Sequence, residues 1–498
     1  MTMPAMPPLE PEAVPLVKAS DAVAVNAKQT RSLYAKRQKI YPKRAKGFFR
    51  QLKWIVMAIT LAIYYLAPWL RWDRGPGQPD QAILVDFPGR RFYFFFIEIW
   101  PEEVYFLTGI LILAALALFL FTSMAGRVWC GYTCPQTVWT DLFIAVERWI
   151  EGDRNERMKL DRDPWTAGKL GKKVIKHVVW LLIAVATGGA WVFYFADAPT
   201  LARDLAQFAA PTVAYVFIGL FALTTYLLGG IAREQVCTYM CPWPRIQAAL
   251  QDEETLIVSY HPLRGEPRGP HKKGESWDGH GHCVDCNQCV AVCPMGIDIR
   301  DGQQLECISC ALCIDACNGV MDKLALPRNL IGYATLAAVE SNDPAAFPHV
   351  RLLRPRTILY MAAIVLVSAV MLFALLTRET LDLTVARDRN PLFVTLSDGS
   401  IRNGYTIHIQ NKEHESRRFV LSLEGLAGAH LAVAGQENGV AAPVLTVGPD
   451  QVGTFRVFVT APRPSLRGEH SIDVRFIAAD EAGEDTTESE TVFRGPER

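Results

Sequence analysis

Twelve cysteines lie between Cys130 and Cys317, and their spacing sorts them into two kinds. Eight stand in two runs, "CVDCNQCVAVCP" from Cys283 and "CISCALCIDACN" from Cys307. Both read C-x2-C-x2-C-x3-C, the bacterial ferredoxin run in which the fourth cysteine serves the other cluster. One [4Fe-4S] cluster then takes Cys283, Cys286, Cys289 and Cys317. The second takes Cys307, Cys310, Cys313 and Cys293. Three thiolates of one short loop reach one face of a cubane, and the fourth ties the two halves together. Zinc knuckles use two C-x2-C pairs separated by a longer loop, which this tandem does not match. Pro294 follows the first run but Asn318 follows the second, so one cluster is expected to be less shielded.

The other four cysteines form two matched hexapeptides, "CGYTCP" from Cys130 and "CTYMCP" from Cys237. Each follows an uncharged apolar run and a nearby arginine, Arg127 or Arg233, and each leads into an amphipathic stretch. Proline favours the first turn of a helix. Cys134 and Cys241 are therefore expected near helix N-termini, where the dipole lowers a thiol pKa. Paired thiolates are soft donors that select Cu(I), and Met240 could add a thioether. Cys130, Cys134, Cys237 and Cys241 are thus candidate copper ligands and catalytic residues. Structural packing and reversible disulfide chemistry are the competing readings. Haem is disfavoured because the apolar runs hold no histidine, with His177 at the edge of one. His280 and His282 precede the first run in "GHGHC" and read as polar loop residues rather than ligands.

Five segments must position this chemistry. Residues of about 54–70, 104–122, 178–195, 211–232 and 357–377 are long and apolar enough to span a bilayer, which takes about 20 residues. The second and fourth carry no charge. "FYFFFIEIW", from Phe92 to Trp100, is too short to span and reads as an interfacial or re-entrant piece. Residues 28–50 hold nine Lys or Arg and no acid, loop 123–173 holds nine, and loop 233–356 holds twelve. Loops 71–103 and 196–210 hold only four and one. Basic loops stay cytoplasmic, which puts the amino terminus and every cysteine inside and the tail outside. Reduced thiols belong in the reducing compartment, in agreement. The basic stretch abuts an apolar run and reads as a membrane anchor, not a nucleic-acid patch. The first 27 residues, rich in Pro, Ala and Val, read as disordered.

After Leu381 the pattern alternates, as in "YTIHIQNK" and "GTFRVFVTAP", with turn signals between. Seven or so strands suit an immunoglobulin-like sandwich. His408, His414, His430 and His470 read as scattered surface histidines. The expected fold class is a multi-domain membrane protein. It has an α-helical bundle of about five spans, a dicluster ferredoxin-like α+β insert and an all-β immunoglobulin-like C-terminal domain. The expected domains are residues 1–50, a disordered and basic cytoplasmic N-terminus; 51–260, the transmembrane core; 261–340, the dicluster domain; 350–378, the fifth helix; and 380–498, the exported sandwich.

The ordered combination resembles the FixG/RdxA/CcoG cytochrome oxidase accessory proteins, a likeness that includes "NGYTIHIQNK" in the tail. It covers roughly residues 30–495. The resemblance implies a cupric reductase of the bacterial inner membrane that supplies Cu(I) for assembly of cbb(3)-type oxidase. It implies a cytoplasmic ferredoxin domain, a periplasmic tail and partners among membrane lipid, oxidase assembly components and an electron donor. NapH and NosR share the paired motifs but lack the tail, and they imply a rival reading as a quinol-linked electron-transfer subunit. A non-catalytic assembly scaffold is the third reading. No flavin or nicotinamide fingerprint names the electron donor.

Overall fold

Five helices are long and apolar enough to cross a membrane: Phe48–Trp69, Pro101–Ala125, Ala167–Val192, Thr212–Ala232 and Pro355–Leu376. Their apolar faces are largely exposed, as expected of a surface that meets lipid rather than water. The structure, a computed structural model, describes residues 17, 19–26, 38–75, 77–272, 276–341, 351, 353–378, 381–435, 442–466, 470–481 and 485–496. The stretch from Lys28 to Arg37 lies outside them. The chain forms two compact units, residues 1–371 and 372–498.

In the first unit the third and fourth spans pack closely, because Gly188 lets the Ile218 carbonyl approach. The second span lies beside the fifth, with Gly109 against the Met371 sulfur. "FYFFFIEIW" folds as a β-hairpin. It supplies strands Arg91–Phe94 and Ile97–Ile99 of a three-stranded antiparallel sheet with Ile83–Asp86. Alternating side chains and backbone pairing decide this over raw apolarity.

The dicluster insert is closed by the antiparallel pair Leu256–Tyr260 and Ile331–Thr335, so it begins before residue 261. The described amino-terminal residues are not a free tail. Ser20 N–H donates to the Cys286 carbonyl (2.9 Å), Val25 N–H to that of Gly296 (2.8 Å) and Lys43 N–H to that of Ala291 (2.8 Å). Ala22 and Ala45 are buried in the insert's two apolar cores. Backbone pairing and these small apolar side chains override the disorder that composition suggested.

The second unit is a sandwich. One sheet orders His430–Val433, Gln451–Ala461, Ile401–Asn411 and Leu381–Arg387, with Val394–Thr395 added to Ile401–Asn411. The other orders Val444–Val447, Arg417–Glu424, Ser471–Asp480 and Thr486–Arg494. Alternate residues such as Tyr405, Ile407, Phe419, Val457 and Phe476 fill one core between them.

Candidate redox centre

The two ferredoxin runs fold alike. Asp285 and Asn287 in the first, and Ser309 and Ala311 in the second, all have positive φ between 50° and 59°. These paired left-handed turns wrap the backbone around the thiols and aim N–H groups inward. Gln288 N–H donates to the Cys286 sulfur, Ser309 N–H to Cys307, and Met295 and Ile297 N–H to Cys293. Such bonds favour thiolate over thiol.

The walls of two cavities separate the eight cysteines. One is lined by Cys283, Cys286, Cys289 and Cys317, together with Tyr260, Arg300 and Ile331. The other is lined by Cys293, Cys307, Cys310 and Cys313, with Cys289 on the shared side. Among the described residues no three His, Cys, Asp or Glu side chains converge on one point. A cubane does not ask for that, since its four irons stand apart and each takes one thiolate. The cavities therefore fit clusters better than single ions. Burial pushes the thiols up, Cys293 and Cys317 to about 12 and Cys307 to about 11. A bare thiolate is costly here, and bound iron would offset that cost.

Arg300, which the cysteine spacing gave no reason to select, holds the first cavity's rim. Its guanidinium donates to Asp285 (2.5 Å), Asn287 (2.6 Å) and Asp298 (2.6 Å). Asn318 lies inside the helix Leu312–Met321, which runs on past Cys317. A proline there would break that helix. Asn318 instead accepts from the Asn329 N–H (2.8 Å).

The first paired motif is laid on the second run. A Cβ on Gly131 would come within 2.6 Å of the Ile308 carbonyl and 3.1 Å of Cys310 Cα, so only glycine permits this approach. Tyr132 donates to the Cys310 carbonyl (3.3 Å), and Tyr333 to that of Ser309 (3.1 Å). Arg127 reaches the Leu305 carbonyl. Cys130 and Cys310 lie in one apolar core, with Cys237, Cys293 and Cys307 packed against it. Cys130 Sγ donates to Gln247 Oε1 (3.0 Å), and Gln247 is wholly buried. The two sequence-distant motifs thus meet, with Cys237 packed against the core that buries Cys130.

Cys134 caps the helix Pro135–Glu151, as expected. Cys241 lies one residue further out, because Pro242 caps the short helix Trp243–Ala249. The amphipathic stretch expected after the second pair is only that helix, followed by a turn and strand Leu256–Tyr260. The lowering of thiol pKa expected at Cys134 does not hold. Burial lifts Cys130 to about 11 and Cys237 to about 12, and it also raises Cys134. The Thr137 and Gln136 N–H groups at the helix start do pull Cys134 down, but desolvation is the larger effect.

The two motifs align one residue away from their arginines. Gly126 (φ 60°, ψ −125°) and Arg233 (φ 47°, ψ −114°) take the same backbone turn, four residues before Cys130 and Cys237. Arg233 holds a glycine conformation because its guanidinium is pinned. Nε donates to the Gly230 carbonyl (2.7 Å), and Nη2 lies 2.8 Å from Glu147. The chain around it is π-helical over Tyr226–Ala232 and Val236–Met240, a geometry frequent at functional sites.

The histidines do not join this centre. His271 stacks on Trp277 at 3.7 Å, with His280 and His282 against the same ring. His282 accepts from Arg264 (3.0 Å). In the sandwich His408 meets Thr454 and His414 meets Asp450. Met240 is 64% exposed.

Three family models match the chain. A 4Fe-4S dicluster domain covers residues 232–336, a 4Fe-4S binding domain covers 107–153, and an IG-like fold at the C-terminal of FixG covers 371–496. The nitrogen fixation protein FixG of Rhizobium meliloti is 54% identical over 484 residues, 91% of this chain and 92% of its own length. Protein RdxB of Cereibacter sphaeroides is 54% identical over 475 residues, 94% of this chain and 98% of its own. Protein RdxA of the same organism is 52% identical over 454 residues, 91% and 95%.

Proposed function

This chain belongs to the FixG/RdxA family, and from that premise we propose that it is a membrane-bound cupric reductase. Cys283, Cys286, Cys289 and Cys317 hold one [4Fe-4S] cluster, and Cys307, Cys310, Cys313 and Cys293 hold the other. The clusters supply one-electron transfer. Cys130, Cys134, Cys237 and Cys241 bind copper. One electron from a cytoplasmic donor converts one Cu(II) to Cu(I); no bond to carbon breaks and no proton is consumed. The Cu(I) serves assembly of a cbb(3)-type oxidase in the inner membrane, the role that the family resemblance implies. The observation that carries the reading is the seat of Gly131 and Tyr132 on Ile308–Cys310. It supports the reading because Cys130 and Cys237 pack against Ile308 and Cys310, which line the second cavity.

The test uses detergent-purified, cluster-loaded protein. The parent should reduce Cu(II) and contain about eight irons per chain. Replacing the four paired cysteines with Ser should abolish copper binding and leave the iron. Replacing Cys283 or Cys307 should remove iron and reductase activity and leave copper binding. A four-Ser protein that reduces copper like the parent sinks the proposal. The match of residues 107–153 to a 4Fe-4S binding domain favours a second reading, in which the four paired thiolates hold iron–sulfur. That reading requires about twelve irons, falling to about eight in the four-Ser protein.

A further inference from the structure

We propose that Gln247 is a positioning residue of the paired-cysteine site, whose amide turns over when copper takes the place of the Cys130 thiol proton and so favours bound Cu(I) over Cu(II). The inference rests on the copper reading above and deepens it. It names a residue that follows the second motif and acts on a thiol of the first.

Gln247 lies on the short helix Trp243–Ala249 and is wholly buried. Its amide bridges two groups that are far away in sequence. Oε1 accepts from Cys130 Sγ (3.0 Å), and Nε2 donates to Thr122 Oγ1 (3.3 Å) near the end of the second span. Thr122 and Cys130 are buried as well. Both ends of the amide are therefore paired, in a place where water does not stand in for a lost partner.

Copper removes the donor from this chain of contacts. A metal-bound sulfur carries no proton, so it accepts hydrogen bonds and gives none. With the amide as it stands, Oε1 would face an electron-rich sulfur and lose its partner. A buried acceptor left without a donor is penalised by its full desolvation cost. A half-turn of the amide about its last bond removes the penalty. Nε2–H then donates to Cys130 Sγ, and the Thr122 hydroxyl donates to Oε1. Thr122 serves both arrangements because a hydroxyl gives and takes. An apolar side chain would fill the same space and offer the sulfur nothing. The exchange releases one proton from sulfur to solvent and transfers no electron. The donated N–H draws charge from the sulfur, which favours the less positive copper ion. Hydrogen bonding around a ligating cysteine sulfur tunes copper potentials in this way.

The test uses cluster-loaded protein, first without copper, where the paired thiols supply the S–H stretch in the infrared. Cys130→Ser identifies the Cys130 band. Gln247→Leu should move that band toward the frequency of an unbonded thiol and keep iron at the parent level. With copper, the affinities for Cu(I) and Cu(II) are each read by competition with a chelator. Gln247→Leu should lower the Cu(I) affinity relative to Cu(II) about tenfold. For one electron that is a potential about 59 mV more negative. Thr122→Val combined with Gln247→Leu removes both buried partners, which protects the fold, and should show the same tenfold change. An S–H band that stays in place in Gln247→Leu, or a parent ratio of the two affinities in either variant, makes Gln247 a packing residue and overturns the inference. If the parent itself binds no copper, the copper reading fails first, and the role of Gln247 falls with it.

Discussion

Tyr132 and Glu147 show how single residues tune this protein from outside the cysteine motifs. Tyr132 is buried and donates to the Cys310 carbonyl in the loop that we propose carries the second cluster's ligands. Tyr132→Phe removes that donor at a cost of about 1 kcal/mol. It should move the second cluster's potential to more negative values, because a donor near the cluster favours the more negative reduced state. Potentiometric EPR would read this, with the first cluster as internal control; two unchanged potentials would refute it. Glu147 is 1% exposed and faces Arg233, Arg157 and Lys176 at 2.8, 3.3 and 3.6 Å. Burial pushes its carboxyl up, but these cations outweigh burial and hold it at about 2. Its folded pKa lies below the unfolded value of about 4.3, so its stabilisation is complete above that pH and fades as pH falls toward 2. Glu147→Gln should cost about 3–5 kcal/mol at neutral pH, because the buried Arg157 and Arg233 lose their carboxylate partner while Lys176 keeps Glu151 at 3.0 Å. It should also flatten the acid limb of a thermal-melting profile between roughly pH 4 and 2.

At the scale of elements, the helix ends set where the chemistry sits. The first span, Phe48–Trp69, starts against the dicluster insert, and its cap comes from another domain. Asp315, within the second cysteine run, accepts from Phe49 N–H (3.2 Å) and Arg50 N–H (2.7 Å). A Cβ on Gly47 would strike that carboxylate, so glycine is needed for the approach. Asp315→Ala should cost about 1–2 kcal/mol and loosen the first turn of the span. Faster amide exchange at residues 48–51 with unchanged iron would confirm this; unchanged exchange would refute it. The matched turns before the two thiol pairs give a second prediction. Gly126→Ala places a Cβ 3.0 Å from the Leu256 carbonyl and strains a φ of 60°. It should destabilise by about 1–3 kcal/mol, measured by the melting temperature of the purified protein. Arg233 tolerates the same turn because Glu147 and the Gly230 carbonyl hold its guanidinium.

At the scale of the whole molecule the two units have separate cores. The sandwich buries Tyr405, Phe419, Phe476 and Phe493 completely in a cluster drawn wholly from residues 381–493. Residues 380–498 expressed alone should therefore be soluble and melt in one cooperative transition that iron chelation does not shift. A chain that aggregates or melts without cooperativity would contradict that independence. In the full chain, an export reporter fused after Arg498 should be active and a cytoplasmic one silent. The charge bias of the loops predicts this, and an active cytoplasmic reporter there would overturn it.

The sequence by itself determined what is local or periodic. Runs of apolar residues specify spans whatever their neighbours, since bilayer thickness sets one length. Cysteine spacing specifies clusters, because a short loop reaches only one face of a cubane. Alternation specifies the sandwich strands. The antiparallel pairing of Leu256–Tyr260 with Ile331–Thr335, which closes the insert, depended on packing. So did the sheet made by "FYFFFIEIW", whose pairing partner Ile83–Asp86 precedes it. The meeting of Cys130 with Cys237, the seat of Gly131 on Ile308 and the burial of Met295 join segments more than 100 residues apart. No spacing rule reaches that far. Tertiary structure also reversed the sign of the shift expected at Cys134, because a helix dipole acts over one turn while burial removes water from every side.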